Sequence, residues 1–406
     1  MYLTRLSLTN FRAFTRLDME VPRRTLLLVG DNAQGKTSIL EAVYYLATFT
    51  SFHAQSDRQL INFLAGREAL AVGRLVAEFQ RGEARHQLEV RLIQETNGAG
   101  SRFRKEILLD GVKRTPNEAT GAFEAVIFLP QMTRIVEGSP EERRRYLNLA
   151  LAQVVPGYAQ ALSEYARALE QRNALLKQLN ERGGDADQLL YWDAILAERG
   201  AELIFHRIAA IQELERLSAR IHARLTHNLE VLQLVYQPAY DPLPQPEGQF
   251  ALPLVTPMNR SGFTREQIRR GFMERLMTLR QEEIARGMTT IGPHRDEVRF
   301  LSNHIDLGNY GSRGQVRTAL LSLKLAEAQW MRERSGHWPV MLLDEILAEL
   351  DDRRRVDLLE YLGECEQTLL TTTDLKLFSE DFLRKSVLWQ VEQGVISKIQ
   401  PACTEG

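Results

Sequence analysis

The stretch LLLVGDNAQGKTSILEAV, residues 26–43, decides the fold of this 406-residue chain. An apolar run comes first, a glycine-rich segment follows it, and apolar residues then recur at helical spacing. Within the stretch, residues 30–37 consist of a glycine, four further residues, and then glycine, lysine and threonine. This is the sequence motif of a phosphate-binding loop between a strand and a helix. The stretch therefore predicts an α/β domain that binds a nucleotide.

Each part of this phosphate-binding loop has a chemical reason. Glycines let backbone N–H groups curl around a phosphate at a helix N-terminus, whose partial positive charge favours anions. Lys36 adds a positive charge for the β- and γ-phosphates, and Thr37 adds a hydroxyl ligand for Mg2+. The predicted cofactors are ATP and Mg2+. The predicted nucleotide-binding residues of the loop are Gly30, Asp31, Asn32, Ala33, Gln34, Gly35, Lys36, Thr37 and Ser38.

Composition sets outer limits on the protein. Its length is enough for about two or three domains. A net charge of -2 gives no overall cationic field, so any contact with nucleic acid needs a local basic patch. Cys365 and Cys403 lack metal-ligand spacing, which favours a reduced cytosol. No apolar run approaches the roughly 18 residues that span a bilayer, and no signal peptide is recognisable. We expect a soluble, cytoplasmic protein that does not enter membranes.

A second strand carries the acidic residues that a nucleotide-hydrolysing site needs. In WPVMLLDEILAELDDRRR, an apolar run ends in Asp344 and Glu345. Adjacent carboxylates repel one another unless a cation or a substrate uses them. We expect Asp344 to hold the metal, and we expect Glu345, with Lys36, to be catalytic because a carboxylate there can polarise the attacking water. A strand that runs into an acid-capped helix is the alternative.

The segments on either side of this strand indicate the class of ATPase. Upstream, the signature segment, residues 312–315, begins a long helical pattern and supplies the predicted nucleotide-binding residues Ser312, Arg313, Gly314 and Gln315. It is either an anion site at a helix N-terminus or a plain helix cap. Downstream, Glu349 and Asp351 occupy the D-loop position of ABC-type ATPases. In such ATPases the signature of one subunit closes over the nucleotide of another, so we expect a composite site in a dimer.

The long interval between the two strands divides into a β-rich and a helical part. Short β-like runs extend to Leu129. From Ser139, which can cap a helix in SPEE, apolar residues recur at spacings of three and four. Two such helices joined by a glycine turn at residues 183–184 predict an antiparallel hairpin, and a third helix is expected over 264–286. The predicted domains are an N-terminal ATPase part, 1–138, a helical arm, 139–286, and a C-terminal ATPase part, 287–406.

The chain resembles the RecF family, bacterial recombination mediators that are short-armed relatives of the SMC proteins. The resemblance runs from Met1 to about Asp374 and rests on six stretches: LTRLSLTNFRAF, VIFLPQMTRIVEGSPEERRRYLN, IGPHRDEVRF, YGSRGQVRTALLSLKLAEA, LLDEILAELDDRRR and TLLTTTDL. It implies an ABC-type ATPase head, with a β-rich lobe and a Walker-type α/β core, into which an α-helical antiparallel arm is inserted.

The same resemblance implies a function. Members are slow, DNA-stimulated ATPases that form an ATP-dependent homodimer and clamp duplex DNA at single-strand/double-strand junctions without reading sequence. With RecR and RecO they promote RecA loading in repair, replication and the SOS response. The resemblance also adds Arg12, Gln131 and Asp351 as nucleotide-binding residues, with Gln131 as a metal ligand, although a simple loop glutamine is equally compatible with the sequence. An SMC-like structural DNA tether or another ABC-head ATPase is the alternative.

Some positions depart from the family pattern. Two aspartates are usual where this chain has Asp344 and Glu345, Asn-Tyr is usual at residues 13–14, and an aspartate is usual at Asn148. After the last apolar strand, a threonine run stands where ABC transporters have a histidine, which predicts slow turnover. In GPHRDE, residues 292–297, the polar cluster either reaches phosphate or holds a loop, and its composition favours the loop.

Basic residues form clusters that the resemblance connects with DNA. On charge pattern alone, solvated helix faces are the more common explanation for such clusters. DNA contact would involve phosphates rather than base edges. The residues are Arg143, Arg144, Arg145, Arg269, Arg270, Arg275, Arg280, Arg286, Arg353, Arg354 and Arg355.

Overall fold

The computed structural model describes residues 1–97, 100–243 and 258–399. The strands of these residues are β1 (Tyr2–Phe11), β2 (Phe14–Glu20), β3 (Thr25–Val29), β4 (Leu70–Arg81), β5 (Ala84–Asn97), β6 (Gly100–Leu109), β7 (Val112–Arg114), β8 (Ala125–Phe128), β9 (Leu232–Gln237), β10 (Glu297–Ser302), β11 (Ile305–Asp306), β12 (Val340–Asp344), β13 (Thr368–Thr372), β14 (Val387–Glu392) and β15 (Val395–Ile399). The α-helices are α1 (Lys36–Thr48), α2 (Pro116–Ala119), α3 (Arg134–Glu137), α4 (Pro140–Val154), α5 (Tyr158–Arg182), α6 (Leu189–Leu225), α7 (Arg265–Arg286), α8 (Leu307–Tyr310), α9 (Arg313–Ser335), α10 (Asp352–Gly363) and α11 (Glu380–Lys385).

Contacts divide the chain into two compact units. The first unit comprises residues 1–132 and the described residues from 327 onward, and the second comprises residues 133–326. In the first unit, an antiparallel sheet has the order β2-β1-β4-β5-β6-β7, and a second sheet has the order β15-β14-β3-β13-β12-β8. The second sheet is parallel except at β15. This is the predicted α/β ABC-type head with its β-rich lobe.

The order of the second sheet brings the two predicted site strands close together. β13 lies between β3 and β12, and it runs parallel to both. Thr371 of β13 is opposite Leu28 on one side and Asp344 on the other. The carboxyl ends of β3 and β12 therefore lie at one edge of the sheet, where ligands of open α/β sheets bind. Both strands are buried apolar runs, as expected of parallel strands covered on both faces.

The second unit contains the predicted helical arm. Ser139 and Glu142 form a capping box at the start of α4, which confirms the predicted helix start. α5 ends at Arg182, and the capping residue Gly183 has a φ of 70°, a left-handed conformation that glycine adopts without strain. α5 and α6 pack together as the predicted hairpin, and the third predicted helix is α7. With 25 residues, α5 is about 38 Å long.

Buried ion pairs join the arm helices. Arg172 of α5 is fully buried, and its guanidinium contacts Asp193 of α6 at 2.7 Å and Glu283 of α7 at 2.6 Å. Buried charges are tolerated only when they are paired and hydrogen-bonded. The three helices are therefore fixed to one another by a specific polar contact as well as by their apolar stripes.

One strand of the second unit was missed at the sequence level. β9 follows α6 after the short segment 226–231, and its whole length pairs antiparallel with β10. This pairing attaches residues of the predicted C-terminal ATPase part to the helical unit, so the contact boundary differs from the predicted one at residues 287–326. The functional assignment of the three domains stays a prediction. The predicted proline-rich end of the arm, residues 237–248, lies partly outside the described residues.

Two further expectations concern membranes and cysteines. None of the described helices combines the length and the apolar character that crossing a bilayer requires. Burial raises the pKa of the Cys365 thiol to about 12, so this thiol is not a reactive thiolate at neutral pH. Cys403 lies outside the described residues.

Candidate nucleotide-binding site

The phosphate-binding loop connects the end of β3 to α1 through two glycines. A Cβ atom at Gly30 would lie 2.3 Å from the carbonyl oxygen of Val391, and one at Gly35 would lie 3.0 Å from the Phe14 ring. Gly35 also has a φ of 106°. Both positions therefore need glycine, because backbone approach or backbone conformation excludes a side chain.

Lys36 curls back over the loop that it follows. Its side chain is 4% exposed, and its Nζ donates to the carbonyl oxygens of Gly30 at 2.6 Å and Asp31 at 2.9 Å. The same nitrogen lies 3.1 Å from Oε1 of Glu345. The ammonium group is thus held at the loop and beside the carboxylate predicted to be the general base.

Thr37 and the acidic strand meet directly. The Thr37 hydroxyl lies 3.0 Å from each carboxylate oxygen of Asp344. Thr371 donates its hydroxyl to the same carboxylate at 2.7 Å and accepts from the backbone N–H of Glu345 at 3.0 Å. Thr371 belongs to the threonine run that stands where ABC transporters have a histidine. Its sequence context did not predict a contact with the acidic residues. The strand order places it where it supports both of them.

Glu345 has an unusual backbone conformation. Its φ is 52°, and its side chain is 37% exposed. A left-handed backbone costs a residue with a Cβ roughly 1–2 kcal/mol, and such strain persists only where neighbours hold it. The hydrogen bond from its N–H to Thr371 and the ion pair with Lys36 do so here. The turn leaves the carboxylate partly accessible.

These residues fit a nucleotide with Mg2+. The first turn of α1 contains no acidic residue, so its N–H groups face no competing carboxylate on their own helix. No group of three or more His, Cys, Asp and Glu residues that could hold a metal occurs among the residues that the structure describes. Thr37 and Asp344 would provide the few protein oxygens that Mg2+ needs when phosphate oxygens complete its coordination.

The other predicted loop residues have different surroundings. Gln34 accepts from the N–H of Gln393 at 2.6 Å, which binds the loop to the turn between β14 and β15. Asp31, Asn32 and Ala33 are exposed, and Ser38 is half-buried. These contacts leave the outer side of the loop accessible to a ligand.

Gln131 and Arg12 lie in contrasting environments. Gln131 is exposed and follows β8, which pairs with β12, so it emerges at the same sheet edge as Asp344. Arg12 forms a two-pronged ion pair with Glu41 of α1, with both nitrogen–oxygen distances at 2.7 Å, and donates to the Gln59 carbonyl oxygen. If Arg12 contacts the nucleotide, it does so either while keeping its ion pair with Glu41 or after breaking that pair.

The signature segment forms the start of α9. Ser312 Oγ accepts from the N–H of Gln315 at 3.2 Å, and the Gln315 side-chain oxygen accepts from the N–H of Ser312 at 3.1 Å. This reciprocal capping box satisfies two backbone donors. Ser312, Arg313 and Gly314 are exposed. The cap and the anion site are compatible, because the exposed side of the segment remains accessible.

Asp351 is a helix cap in the described chain. Its carboxylate accepts from the N–H of Arg354 at 3.0 Å at the start of α10, and this hydrogen bond, with the nearby guanidinium, lowers the pKa of Asp351. The side chain is about half exposed, at 53%. Capping alone accounts for an aspartate here, and a nucleotide contact stays a prediction.

Comparison with known proteins agrees with this geometry. The model of the family RecF/RecN/SMC N-terminal domain matches residues 2–397. The chain is 38% identical over 405 residues to the DNA replication and repair protein RecF of Chloroflexus aggregans, and the match covers 97% of this chain and 99% of that protein. The chain belongs to the RecF family.

Solved structures support the same assignment. A structure of the recombination mediator protein RecF with ATP, in the RecFOR pathway, has a TM-score of 0.80 at 28% identity and covers 98% of this chain and 99% of its own. An SMC head bound to the C-terminal winged-helix domain of ScpA has a TM-score of 0.54 at 13% identity and covers 100% of this chain and 99% of its own. The second likeness shows only that the fold is shared.

The GPHRDE segment holds a loop in this RecF-family chain. Asp296 accepts from Arg207 at 2.7 Å and from the Tyr236 hydroxyl at 2.5 Å. His294 lies 2.7 Å from the Tyr165 hydroxyl, and burial lowers the pKa of its ring to about 4. The polar cluster is therefore engaged inside the second unit, as its composition favoured.

Asn148, which departs from the family pattern, belongs to the same buried network. Its side-chain oxygen accepts from Tyr158 and from Arg207, each at 2.9 Å. The amide oxygen fills an acceptor position that a carboxylate could also fill. In this chain Asp296 alone supplies the negative charge in direct contact with Arg207 among the described residues.

The basic clusters divide by their partners. Arg143 is bound by Glu297, and Arg144 donates to the backbone of Asp296. Ion pairs with acidic side chains are also formed by Arg269, Arg280, Arg286, Arg354 and Arg355. Within residues 1–97, 100–243 and 258–399, no acidic side chain lies at ion-pair distance from Arg270, Arg275 or Arg353, which are exposed.

Proposed function

We propose that this protein is an ATP-dependent, DNA-binding recombination mediator that acts in the cytoplasm in DNA repair and replication. ATP gates its dimerisation, and the dimer clamps duplex DNA at single-strand/double-strand junctions of gapped DNA. Together with RecR and RecO, it promotes RecA loading on the single strand. Hydrolysis is slow, is stimulated by DNA and opens the clamp.

The contrast between two segments carries this proposal. Lys36, Thr37, Asp344 and Glu345 are already assembled at one sheet edge by contacts of 3.0 to 3.1 Å. The signature segment, in contrast, presents its serine and glycine to solvent. An assembled phosphate site and an exposed anion site on the same chain are what two copies need in order to share a nucleotide.

The residues then have distinct roles. Lys36 and the loop N–H groups bind phosphate oxygens, and Glu345 orients the attacking water and takes its proton. Mg2+ would be held by Thr37, Asp344 and Gln131, which follows the neighbouring strand β8, and it would supply positive charge that offsets the charge of the phosphate oxygens. We assign Arg12 and the phosphate-binding loop to the nucleotide of the same copy. The nucleotide of the other copy is contacted by Ser312, Arg313, Gly314, Gln315 and Asp351.

Nucleotide binding provides enough free energy to control assembly. A ligand that binds only the dimer stabilises it by RT ln(1 + [L]/Kd), about 2.7 kcal/mol per site at a hundredfold excess over Kd. A symmetric dimer has two such sites. ATP can therefore decide whether two copies associate, and its hydrolysis releases them.

The arm supports a mediator rather than an SMC-like tether. Its helices span only a few tens of ångströms, since α6, the longest of the described helices with 37 residues, is about 56 Å long. A clamp for one duplex needs that scale, whereas tethering distant DNA segments needs long coiled coils. The DNA-repair role is that of the RecF relatives, and the RecFOR pathway of the solved RecF structure motivates the partners.

Light scattering of the whole protein with and without ATP tests the proposal. We expect the wild type to be a monomer without nucleotide and a dimer with ATP. Ser312→Arg should be a monomer under both conditions, because the arginine side chain occupies the exposed signature segment that the second copy must approach. ATP binding by dilute Ser312→Arg should equal that of the wild type. A Ser312→Arg protein that dimerises normally would contradict the composite site.

A further inference from the structure

Glu230 is a carboxylate at which side chains from three elements meet. It lies between α6 and β9, and its side chain is 21% exposed. Its Oε1 accepts from Nε2 of Gln315 at 3.2 Å. Its Oε2 accepts from the hydroxyl of Ser302 at 2.9 Å and lies 3.3 Å from Nε2 of His222. One carboxylate thereby joins the ends of α6 and β10 to the first turn of α9.

The contact with Gln315 fixes the orientation of an amide. The Gln315 oxygen accepts from the N–H of Ser312, so its nitrogen faces Glu230. A backbone N–H can only donate and an ionised carboxylate can only accept, so both neighbours require the same orientation. Turning the amide over would place donor against donor at Ser312 and acceptor against acceptor at Glu230.

Glu230 is ionised at neutral pH. Burial raises the pKa of its carboxyl, but hydrogen bonds from Ser302, Gln315 and His222 outweigh burial, and the pKa lies below its ordinary value of 4.5. The carboxylate therefore acts only as an acceptor. His222 adds a second attachment to α9, because its Nδ1 lies 3.0 Å from the Ser322 hydroxyl.

We propose that Glu230 is a positioning residue for the signature segment. By orienting the Gln315 amide, its carboxylate holds the backbone and hydroxyl of Ser312 in the arrangement that meets the nucleotide of a second copy. This inference rests on the proposed composite site. It assigns to a residue 82 positions upstream of Ser312 in the sequence the task of keeping that site formed.

Exchanging the two polar groups tests the positioning directly. In Glu230→Ala, the Gln315 NH2 group loses its acceptor, so only the N–H of Ser312 still orients the amide. In Gln315→Glu, two carboxylates oppose each other. The double variant Glu230→Gln/Gln315→Glu restores a donor opposite an acceptor, and the carboxylate introduced at position 315 still accepts from the N–H of Ser312.

The readout is the dissociation constant of the ATP-dependent dimer. Loss of a helix cap shifts a local equilibrium about fivefold, so two sites per dimer give about 25-fold weaker dimerisation for either single variant. We expect the double variant to return to within about threefold of the wild type, since its hydrogen bonds are restored and only the charge has moved. ATP affinity of the dilute Glu230→Ala monomer should equal that of the wild type.

A matched control lies on the same helix. Gln329 donates to Glu333 at 3.0 Å on the exposed side of α9. Gln329→Glu therefore makes the same kind of carboxylate pair away from the signature segment. We expect its dimer to form as in the wild type, so that weakening by Gln315→Glu reports the position and not a general effect of added charge on α9.

The outcomes separate this inference from the proposed function. Normal dimerisation of Glu230→Ala, together with failure of Ser312→Arg to dimerise, overturns the role of Glu230 and leaves the composite site intact. A double variant no better than the weaker single variant also overturns it. Normal dimerisation of Ser312→Arg contradicts the composite site itself.

Discussion

The phosphate-binding loop and the signature segment both begin a helix, yet their surroundings differ. Lys36, at the start of α1, is buried and bound to its own loop and to Glu345. Ser312, before α9, is exposed and bound only to its own helix turn among the described residues. One helix start is engaged within the chain, and the other is exposed to solvent.

In the composite site that we propose, this difference divides a shared nucleotide site between two identical chains. The half that performs chemistry needs several groups at fixed distances, so it is assembled by parallel strands and buried contacts. The other half needs only to present donors outward, so a capped helix end suffices. Variants that change one half of the proposed site and leave the other half intact test this division.

The largest effect is expected at Glu345. Glu345→Gln keeps the shape of the site but removes the group that takes a proton, so hydrolysis should fall about 1000-fold, measured as phosphate release under saturating ATP. The dimer formed with ATP should then persist. Glu83→Gln, in the exposed turn between β4 and β5, is the control and should hydrolyse ATP normally. Undiminished hydrolysis by Glu345→Gln would remove Glu345 from the catalytic role.

A smaller effect is expected at Lys36. Lys36→Ala removes a charge-assisted contact worth up to about 3 kcal/mol, so ATP should bind about 100-fold more weakly in titration calorimetry. The dimer should be lost at ATP concentrations that saturate the wild type. Lys113→Ala, which removes an exposed lysine paired with Glu106, should leave ATP binding unchanged. Equal affinity of Lys36→Ala and the wild type would show that the loop binds nucleotide differently.

Acid should weaken the signature-bearing unit through His294. Burial lowers the pKa of His294 from 6.5 to about 4, so the folded state excludes a proton that the unfolded state accepts. Stability is therefore present above pH 6.5 and is lost as pH falls toward 4, which amounts to about 2 kcal/mol between pH 7 and pH 5. ATP binding at the phosphate-binding loop should not follow this loss.

The His294→Gln variant isolates this titration. Urea unfolding of the variant and the wild type is compared at pH 7 and pH 5. Glu124 titrates in the opposite sense, because burial raises its pKa to about 7 and its contribution to stability falls as pH rises. It is present in both proteins, so the difference between them reports His294. An identical loss of stability in both proteins would contradict the assignment.

The smallest effect concerns DNA. Arg270 and Arg275 of α7 are exposed and have no acidic side chain at ion-pair distance among the described residues. If each neutralises one phosphate, its replacement by alanine should reduce the log–log salt slope of binding to gapped duplex by about 0.9, measured by fluorescence anisotropy. Arg269→Ala is the matched control, because Glu266 already binds Arg269 at 2.6 Å. Equal slopes for all variants would place the DNA elsewhere.

Much of the fold followed from local patterns. The apolar runs before Gly30 and before Asp344 are β3 and β12, and the periodic segments after Ser139 are the arm helices. β9 was missed because its partner, β10, lies about 60 residues further on. Pairing of strands so far apart in the sequence depends on tertiary packing, and a short sequence window does not reveal that packing.

The candidate site divides in the same way. The sequence motif alone predicted Lys36, Thr37 and the acidic pair as site residues, because phosphate chemistry restricts which residue types can occur at that spacing. Thr371 and Glu230 could not be recognised, since a threonine or a glutamate becomes a support only when the fold places an acidic or amide partner beside it. The buried pairs of Arg172 and Arg207 had no sequence signal either.

The sequence by itself determined the phosphate-binding loop, the acidic strand, the helical arm and the family. The tertiary structure alone decided which side chains hold those groups in place and which face outward. Local sequence motifs reflect interactions between residues that are close together along the chain. The distances that bring Thr37 to Asp344, and Glu230 to Gln315, arise only when strands and helices far apart in sequence pack together.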